Sequence, residues 1–283
     1  MKLIMTLLVR DEEDIIRANI LYHLDRGVDF IIATDNNSRD STPSILMDFQ
    51  RQGCLHLISE TDDDYSQSEW VTRMARMAAT DFGADWIINS DADEFWWPLK
   101  MDLKNFFSEV PAECSIVEAR RYDFIPRPEH EGSLFDRMVI KDLKPMNHIG
   151  LPLPPKVCHR ALPNVIVGQG NHNLIMPADL KCFKSDALQI LHFPIRTYPQ
   201  FENKIILGGA AYERNTKLPK TVARGWRNLY EDYKQGLLPE YYNKKTLSQE
   251  EVNQGISENR YIIDTCLRDH LKTLDLSKGR TFV

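Results

Sequence analysis

The sequence lacks the signals of several common protein classes. The apolar run Leu3–Val9 is short and is followed by acidic residues instead of a cleavage site, so we expect no signal peptide. No segment approaches the ~20 apolar residues of a membrane-spanning helix. The five cysteines form no Cys-x-x-Cys pair, which predicts free thiols in a reducing compartment. With a formal net charge of −6, the chain lacks the basic surface that a nucleic-acid partner requires. We therefore expect a cytoplasmic protein that binds no nucleic acid.

Hydrophobic periodicity predicts an α/β fold in the first hundred residues. Apolar runs of strand length alternate with helical patterns that end at Gly27, Gly53 and Gly83, a common residue at helix ends. Strands separated by helical crossovers pair in parallel and are covered on both faces. We therefore expect a Rossmann-like, mixed but mainly parallel sheet flanked by helices. The predicted strands are 2–9, 28–34, 54–59 and 85–89.

The rest of the chain has a looser pattern. Further strands are predicted at 116–122, 138–141 and 188–193, with loops at 152–155 and 168–173. Beyond Pro199 the sequence becomes helical and basic, and a last helix is predicted over 248–273. The pattern favours a helical C-terminal appendage over a separate domain.

Three carboxylates follow the fourth predicted strand, in Asp91-Ala92-Asp93-Glu94-Phe95. At the carboxyl edge of a parallel sheet, such acids can hold a divalent cation whose shell the phosphates of a nucleotide complete. The alternative is an acidic turn or a helix N-cap. Arg10 and Asp35 also follow predicted strands, so we expect them at the same edge as Asp91. This convergence favours a metal and nucleotide site.

Three enzyme classes place acids at a strand end beside a phosphate. A haloacid-dehalogenase-like phosphatase would carry them on the first strand, whereas here they follow the fourth. A nucleotidyltransferase would need a glycine-rich loop after the first strand, where this chain has Val9-Arg10-Asp11-Glu12-Glu13. The third class is a glycosyltransferase. A non-catalytic protein that binds a nucleotide or a glycan on the same fold is the alternative outside the enzymes.

Ordered motifs in the chain resemble the signature of family-2-like glycosyltransferases of the GT-A fold, in the subgroup whose Asp-x-Asp continues into Glu-Phe. The motifs are Leu7–Glu12, Tyr22–Asp29, Asp35–Thr42 and Asp91–Phe95. The resemblance implies a GT-A-like catalytic domain at 1–210, divided into a nucleotide-binding half (1–100) and an acceptor-binding half (101–210), and a helical extension at 211–283. It also implies sugar transfer from a nucleotide sugar, in our interpretation a uridine diphosphate sugar, to a glycan or lipid-linked acceptor.

The same resemblance assigns the donor-binding residues. These are Val9, Arg10, Asp35, Asn37, Arg73, Asp91, Ala92, Arg196 and Lys204. Asp35 would accept a hydrogen bond from the base or ribose, and Arg73 or Arg76 would reach the base or the phosphates. For two of these residues there is an alternative in which the side chain does not bind the nucleotide sugar. Arg10 could form an ion pair with Asp14, and Arg73 could be solvated.

The implied metal is Mn²⁺ or Mg²⁺, and its implied ligands are Asp93, Asp91 and His192. His192 could equally be a satisfied core residue. Arg196 or Lys204 would join the metal in binding the leaving diphosphate.

An inverting transfer needs a general base, for which Asp or Glu is the usual choice. The candidates are Glu131, Asp179 and His172, with Glu129 and Asp186 as further carboxylates. The sequence does not separate them.

Two aromatic or basic features have a structural and a functional interpretation. Trp96 and Trp97 could stack on a sugar or pack in the core. The basic segment 214–242 could face an anionic acceptor or a membrane surface, or form a solvated helix face. A peripheral membrane contact is therefore an expectation that the sequence leaves open.

Overall fold

The computed structural model describes residues 1–128, 132–147, 149–175 and 180–274. The strands are β1 (Leu3–Val9), β2 (Phe30–Asn36), β3 (Leu55–Glu60), β4 (Trp86–Asp91), β5 (Glu94–Pro98), β6 (Cys114–Asp123), β7 (Ile140–Asp142), β8 (Lys156–Arg160), β9 (Lys181–His192) and β10 (Tyr261–Ile263). Eight of them form one sheet in the order β3-β2-β1-β4-β8-β6-β9-β5, and β7 pairs with β10.

Helices follow most of the early strands and dominate the C-terminal part. They are α1 (Ile16–Asp25), α2 (Thr42–Arg51), α3 (Gln67–Thr80), α4 (Leu103–Ser108), α5 (Leu134–Arg137), α6 (Tyr198–Arg214), α7 (Arg224–Lys234), α8 (Leu238–Lys245), α9 (Gln249–Ser257) and α10 (Cys266–Thr273), with a short 3-10 helix at Gln169–Asn171. None of the helices in the described ranges is long and apolar enough to span a membrane.

Strand β1 is apolar except for the buried Thr6, as expected for a strand covered by helices on both faces of the sheet. Leu3, Met5 and Leu7 pack in one core with residues of α1 and α2. Ile4 points to the opposite face and packs in a second core with Met74 of α3. The central strands are therefore buried on both sides.

The register of the parallel strands aligns their carboxyl ends. Val9 pairs with Asp35 of β2, and Leu8 pairs with Asp91 of β4. On the other half of the sheet, His192 at the end of β9 pairs in parallel with Asp123 and antiparallel with Glu94. The turn between β4 and β5 thus meets the end of β9.

The predicted fold class is confirmed as a mixed, mainly parallel sheet flanked by helices. Parallel pairs join β1 to β2, β1 to β4, β2 to β3 and β6 to β9, whereas β8 pairs antiparallel with β4 and β6, and β5 with β9. Three of the later strands, β5, β8 and β10, were not predicted. They are short, and each is stabilised by pairing with strands distant in sequence.

Two predicted boundaries are wrong in the C-terminal part. The last helix does not run over 248–273, because the chain leaves α9, adopts a positive φ of 53° at Asn259 and forms β10 against β7 before α10 begins. The domain boundary after residue 210 falls inside α6. Helices α6, α7 and α8 share an apolar cluster that is separate from the cores of the sheet, whereas Leu267 and Leu271 of α10 pack in the main core.

Candidate functional site

A cavity of about 380 Å³, here called the first cavity, opens at the carboxyl ends of β1 and β4. Val9, Asp91 and Asp93 line it from the sheet side. Lys204 of α6 and Trp226 of α7 line it from the C-terminal helices. This is the position where open α/β sheets bind ligands.

Helix α1 holds the turn that carries the acids. Asn19 Nδ2 donates to the carbonyl oxygens of Ala92 (3.0 Å) and Glu94 (2.8 Å). The backbone N–H of Trp96 donates to His23 Nε2 (3.2 Å), and His23 Nδ1 lies 2.9 Å from the Asn19 carbonyl oxygen. Since Nε2 accepts, Nδ1 must carry the proton, so His23 is neutral in the fold. Both side chains are buried and lie four residues apart, on one face of the helix.

Asp93 lies among three groups that carry or can carry positive charge, and it is only 2% exposed. Its Oδ2 is 2.5 Å from Lys204 Nζ and 3.9 Å from Arg196 Nη1. Its Oδ1 is 3.7 Å from His192 Nε2. Burial raises the pKa of Asp93, but the positive charges of Lys204 and Arg196, joined by His192 when it is protonated, outweigh burial and hold the pKa well below its usual value. Asp93 is therefore an ionised carboxylate at neutral pH.

Asp93 and His192 form a pair that fits a divalent cation. His192 Nδ1 lies 2.7 Å from Asp123 Oδ1, so Asp123 can hold the proton on Nδ1 and leave the Nε2 lone pair facing Asp93. A carboxylate that orients a ligating histidine in this way is typical of metal sites. No group of three His, Cys, Asp or Glu side chains suited to a metal occurs in the described ranges. The chain would thus supply two ligands, and phosphate oxygens and water the others.

Asp91, the other predicted metal ligand, is engaged elsewhere. Its Oδ2 lies 2.5 Å from Lys156 Nζ, and its Oδ1 accepts from Gln67 Nε2 at 3.3 Å. Lys156 is 1% exposed and also lies 3.1 Å from Glu94 Oε1. Lys156 holds Asp91 as Lys204 holds Asp93, so the role of Asp91 as a metal ligand stays a prediction that this contact does not decide.

Glu94, which the sequence left without a role, is fully buried behind the turn. Burial raises its pKa, although the charges of Lys156 and Arg121 oppose the shift. Arg121 Nη1 lies 3.5 Å from the Glu94 Oε1 atom. Glu94 therefore anchors two cations beside the cavity.

Arg196 is a buried anchor, and its prediction as a phosphate-binding residue is wrong. Its guanidinium is 0% exposed and binds Asp14 through Nε (2.7 Å) and Nη2 (2.9 Å). Nη2 also lies 2.5 Å from Glu12 Oε2, and Nη1 donates to the Phe193 carbonyl oxygen at 3.2 Å. Each of its three nitrogens has a protein partner, and Arg196 does not line the first cavity. Lys204, in contrast, lines the first cavity.

Five of the nine predicted donor-binding residues line the first cavity: Val9, Arg10, Asp91, Ala92 and Lys204. Arg10 Nη1 lies 2.6 Å from Asp63 Oδ1 and 3.5 Å from Asn36 Oδ1. The alternative in which Arg10 pairs with Asp14 is wrong, because Asp14 binds Arg196 instead.

Asp35, Asn37 and Arg73 do not belong to the wall of the first cavity. Asp35 is buried, and burial raises its pKa although hydrogen bonds from Ser38 oppose the shift. Asn37 Nδ2 donates to the Thr61 carbonyl oxygen at 3.0 Å. Arg73 pairs with Glu60 at 2.9 Å, at the end of β3. The nearby Arg76 donates to the Val165 carbonyl oxygen at 2.8 Å. The structure does not bring these residues together with Asp93.

Only some of the predicted general bases lie among the described residues. Glu129, Glu131 and Asp179 lie outside the described residues. His172 Nδ1 lies 2.8 Å from the Pro155 carbonyl oxygen, and His172 does not line the first cavity. Burial, assisted by the charges of nearby cations, lowers the pKa of His172 to about 4. Its imidazole is therefore neutral at pH 7.

The sequence interpretation missed an aromatic wall. Tyr65 lines the first cavity at a positive φ of 52°, which is strained for a bulky residue. Its ring centroid lies 4.6 Å from that of Tyr212 and 6.1 Å from that of Trp226. The signal in the sequence was the Gly208-Gly209 pair in α6: a Cβ on Gly208 would lie 2.5 Å from a ring carbon of Trp226. Adjacent glycines inside a helix mark such close approaches.

Trp96 and Trp97 have structural positions. Trp96 is 0% exposed in the main core. Trp97 stacks on Tyr22 at a centroid distance of 5.7 Å and packs under Arg26. Neither lines the first cavity, so the sugar-stacking interpretation of these two residues is wrong.

Comparisons with known proteins give a likeness at the level of solved structures. No protein-family model and no curated protein matches the chain. TarS 1–349 from S. aureus has 11% sequence identity and a TM-score of 0.45 over 91% of this chain and 78% of that chain. Its complex with UDP-GlcNAc has 9% identity and the same TM-score. Glucosyl-3-phosphoglycerate synthase from Mycobacterium tuberculosis, in complex with Mn²⁺, UDP and phosphoglyceric acid, has 18% identity and a TM-score of 0.31 over 43% of each chain. At these values the activity has to be argued from the residues of this chain.

Proposed function

We propose that this chain is a metal-dependent glycosyltransferase that uses a nucleotide-sugar donor, specifically a uridine diphosphate sugar. The observation that supports the proposal best is the contact of Asp93 with both Lys204 and His192 inside the first cavity. A sugar–phosphate bond breaks to leave a diphosphate, and its developing negative charge needs cations placed in advance. Asp93 and His192 can hold a divalent cation, and Lys204 supplies a second positive charge.

Lys204 acts as the leaving-group cation of this chain. Burial lowers the pKa of its ammonium, but the charges of Asp93 and Glu12 outweigh burial and raise the pKa. The ammonium thus stays charged through the neutral range and lies where it can donate to a phosphate oxygen. When bound by Asp93 and His192, Mn²⁺ or Mg²⁺ would supply a Lewis acid at the diphosphate.

The opposite end of the first cavity orients the nucleoside. Arg10 is held in place by Asp63, and the strained Tyr65 presents a flat ring to the cavity. The Asp91 carboxylate, fixed by Lys156, offers acceptor lone pairs for a ribose hydroxyl. These groups bind and orient the donor without taking part in bond cleavage.

The acceptor in this proposal is a glycan or a lipid-linked saccharide. Its hydroxyl loses a proton to a general base in an inverting transfer. Glu131, Asp179 and His172 remain the proposed bases.

A thermal-shift panel of nucleotide sugars with and without Mn²⁺ tests the donor assignment, because a bound ligand raises the unfolding temperature according to its occupancy. We expect uridine diphosphate sugars to stabilise the protein in the presence of Mn²⁺. Asp93→Asn should abolish the Mn²⁺-dependent part of the shift, whereas the control Asp62→Asn, an exposed acid outside the first cavity, should retain it. An unchanged shift in Asp93→Asn would refute the metal assignment.

Product analysis tests turnover. A glycosyltransferase releases a nucleoside diphosphate when donor and acceptor are both present. A binding protein with the same cavity would release none, and a nucleotidyltransferase would release pyrophosphate from a nucleoside triphosphate. Either of those results would overturn the proposal.

A further inference from the structure

We propose that a second cavity binds the acceptor, and that the acceptor carries an anionic group, a phosphate or a carboxylate. The identity of the ligand as an acceptor rests on the proposed glycosyltransferase function, but binding of the anion can be tested without turnover. The second cavity has a volume of about 630 Å³ and is formed by β6, β9 and the segments that flank the loop between β7 and β8.

A bulge in β9 creates this cavity. Glu118 of β6 pairs with Lys184 of β9, and Arg120 pairs with Gln189. The pairing thus advances by two residues on β6 but by five residues on β9. The extra residues of β9 leave the ladder and bring Ser185 and Asp186 into the cavity. A bulge re-aims side chains at the expense of strand pairing, and bulges are often found beside functional sites.

The charged side chains of the second cavity are mainly basic. They are Arg120, Arg121, Lys144, Lys184, Glu118 and Asp186. Lys184 and Glu118 neutralise each other at 2.9 Å. Arg120 and Lys144 are exposed and take part in none of the ion pairs found within the described ranges. The cavity therefore has a surplus of positive charge in a chain whose net charge is −6, and it can bind an anion through charge-assisted hydrogen bonds.

Arg121 connects the two cavities. It lines both of them, together with Met146 and Leu153. Its side chain is 10% exposed and is fixed from two sides, by Glu94 Oε1 at 3.5 Å from Nη1 and by the Pro154 carbonyl oxygen at 3.3 Å from Nε. Glu94, the last acid of the sequence motif, thus positions a guanidinium where donor and acceptor meet. An anion bound by Arg120 and Lys144 would place the rest of the acceptor toward Arg121 and the first cavity.

Calorimetric titration of methyl phosphate into the full chain tests the anion site. The first cavity is saturated beforehand with UDP and Mn²⁺, so that methyl phosphate cannot bind there. In the double variant Arg120→Gln, Lys144→Gln, we expect the dissociation constant to rise about tenfold or more, since two charge-assisted hydrogen bonds are lost. The control Lys181→Gln removes an exposed lysine of β9 that lines neither cavity and should leave the constant unchanged. Asp186→Asn should lower it, because a repelling carboxylate is removed.

The outcomes separate the two proposals. If UDP does not bind but methyl phosphate does, with the expected pattern among the variants, the donor assignment fails and the anion site stands. If the double variant and the Lys181→Gln control bind methyl phosphate equally, the anion site is refuted whatever the donor result. All substituted side chains are solvent-accessible, so the variants should fold, and their unfolding temperatures verify it.

A second arm identifies the source of the anion. Co-sedimentation with phosphatidylcholine vesicles, with and without phosphatidic acid, reports binding to a lipid-borne phosphate. Sedimentation that depends on phosphatidic acid and is lost in the double variant supports a lipid-linked anionic acceptor. Binding of methyl phosphate without sedimentation supports a soluble one.

Discussion

His192 Nδ1 lies 2.7 Å from Asp123 Oδ1, and the two residues are register partners at the ends of β9 and β6. The backbone pairing therefore fixes the side-chain contact, and the contact turns His192 Nε2 toward Asp93. His192 thus lies between two carboxylates that have separate roles. Asp123 orients the ring through Nδ1, and Asp93 lies on the side of Nε2.

The first prediction concerns this orientation. Asp123→Asn should weaken Mn²⁺ binding by about 10- to 100-fold, the usual effect of losing the partner of a ligating histidine. His192→Ala should weaken it further, because a ligand itself is lost. Electron paramagnetic resonance of free Mn²⁺ measures the affinity without any substrate. The control Asp186→Asn lies in the second cavity and should bind Mn²⁺ normally; equal affinity in Asp123→Asn would show that Asp123 does not orient the histidine.

The second prediction concerns the different roles of Arg196 and Lys204, the two cations beside Asp93. Arg196→Met leaves the buried carboxylate of Glu12 without this partner, removes the contacts to the more exposed Asp14, and should lower the free energy of unfolding by about 3–5 kcal/mol. Lys204→Gln should cost less stability, because the Lys204 side chain is 24% exposed at the first cavity, but it should weaken UDP binding. Urea unfolding and UDP titration of both variants measure the contrast. If Arg196→Met kept its stability and lost UDP binding, Arg196 would be a ligand-binding residue after all.

The third prediction concerns pH and His23. Burial lowers the pKa of His23 to about 4, whereas the unfolded value is near 6.5. A depressed pKa in the fold contributes stability that is present above the unfolded pKa and is lost as the pH falls toward the folded value. Between pH 7 and pH 5 this residue alone should lower the free energy of unfolding by about 2 kcal/mol. His23→Gln should lower stability at pH 7 but reduce the pH dependence by that amount, as measured by urea unfolding at both values. The control is His56→Gln on β3, and a pH dependence in His23→Gln equal to that of the parent protein would contradict the argument.

The fourth prediction concerns the contact between α6 and α7. Gly208→Ala places a Cβ 2.5 Å from a ring carbon of Trp226, so α7 must shift. We expect a loss of about 1–3 kcal/mol in the free energy of unfolding, together with weaker UDP binding because Trp226 lines the first cavity. The control Ala210→Ser, two residues along the same helix, should change neither. A more stable Gly208→Ala protein would show that α7 tolerates the shift.

The sequence by itself determined the first half of the fold. Apolar runs such as Leu3–Val9 favour burial on both faces, and helical crossovers between the strands favour parallel pairing, so the position of Asp91 and Asp93 at the sheet edge followed from pattern alone. The assignment of Asp93 to the cavity needed no long-range information, because the strand that carries it is directly recognisable. The later strands β5 and β8 escaped prediction because pairing with distant strands, and not local periodicity, holds them in the sheet.

Only the tertiary structure decided which charges meet. Arg196 and Lys204 are eight residues apart in a basic segment and look alike in sequence, yet one is enclosed by Glu12 and Asp14 while the other reaches the first cavity. Asp91 and Asp93 are likewise equivalent in the motif, but Lys156, 65 residues away, contacts Asp91, whereas Lys204 and His192 contact Asp93. Ion pairs between distant residues depend on the register of β6, β8 and β9 against the strands of the first hundred residues. No local pattern encodes that register, so the division of roles within the site appears only in the folded chain.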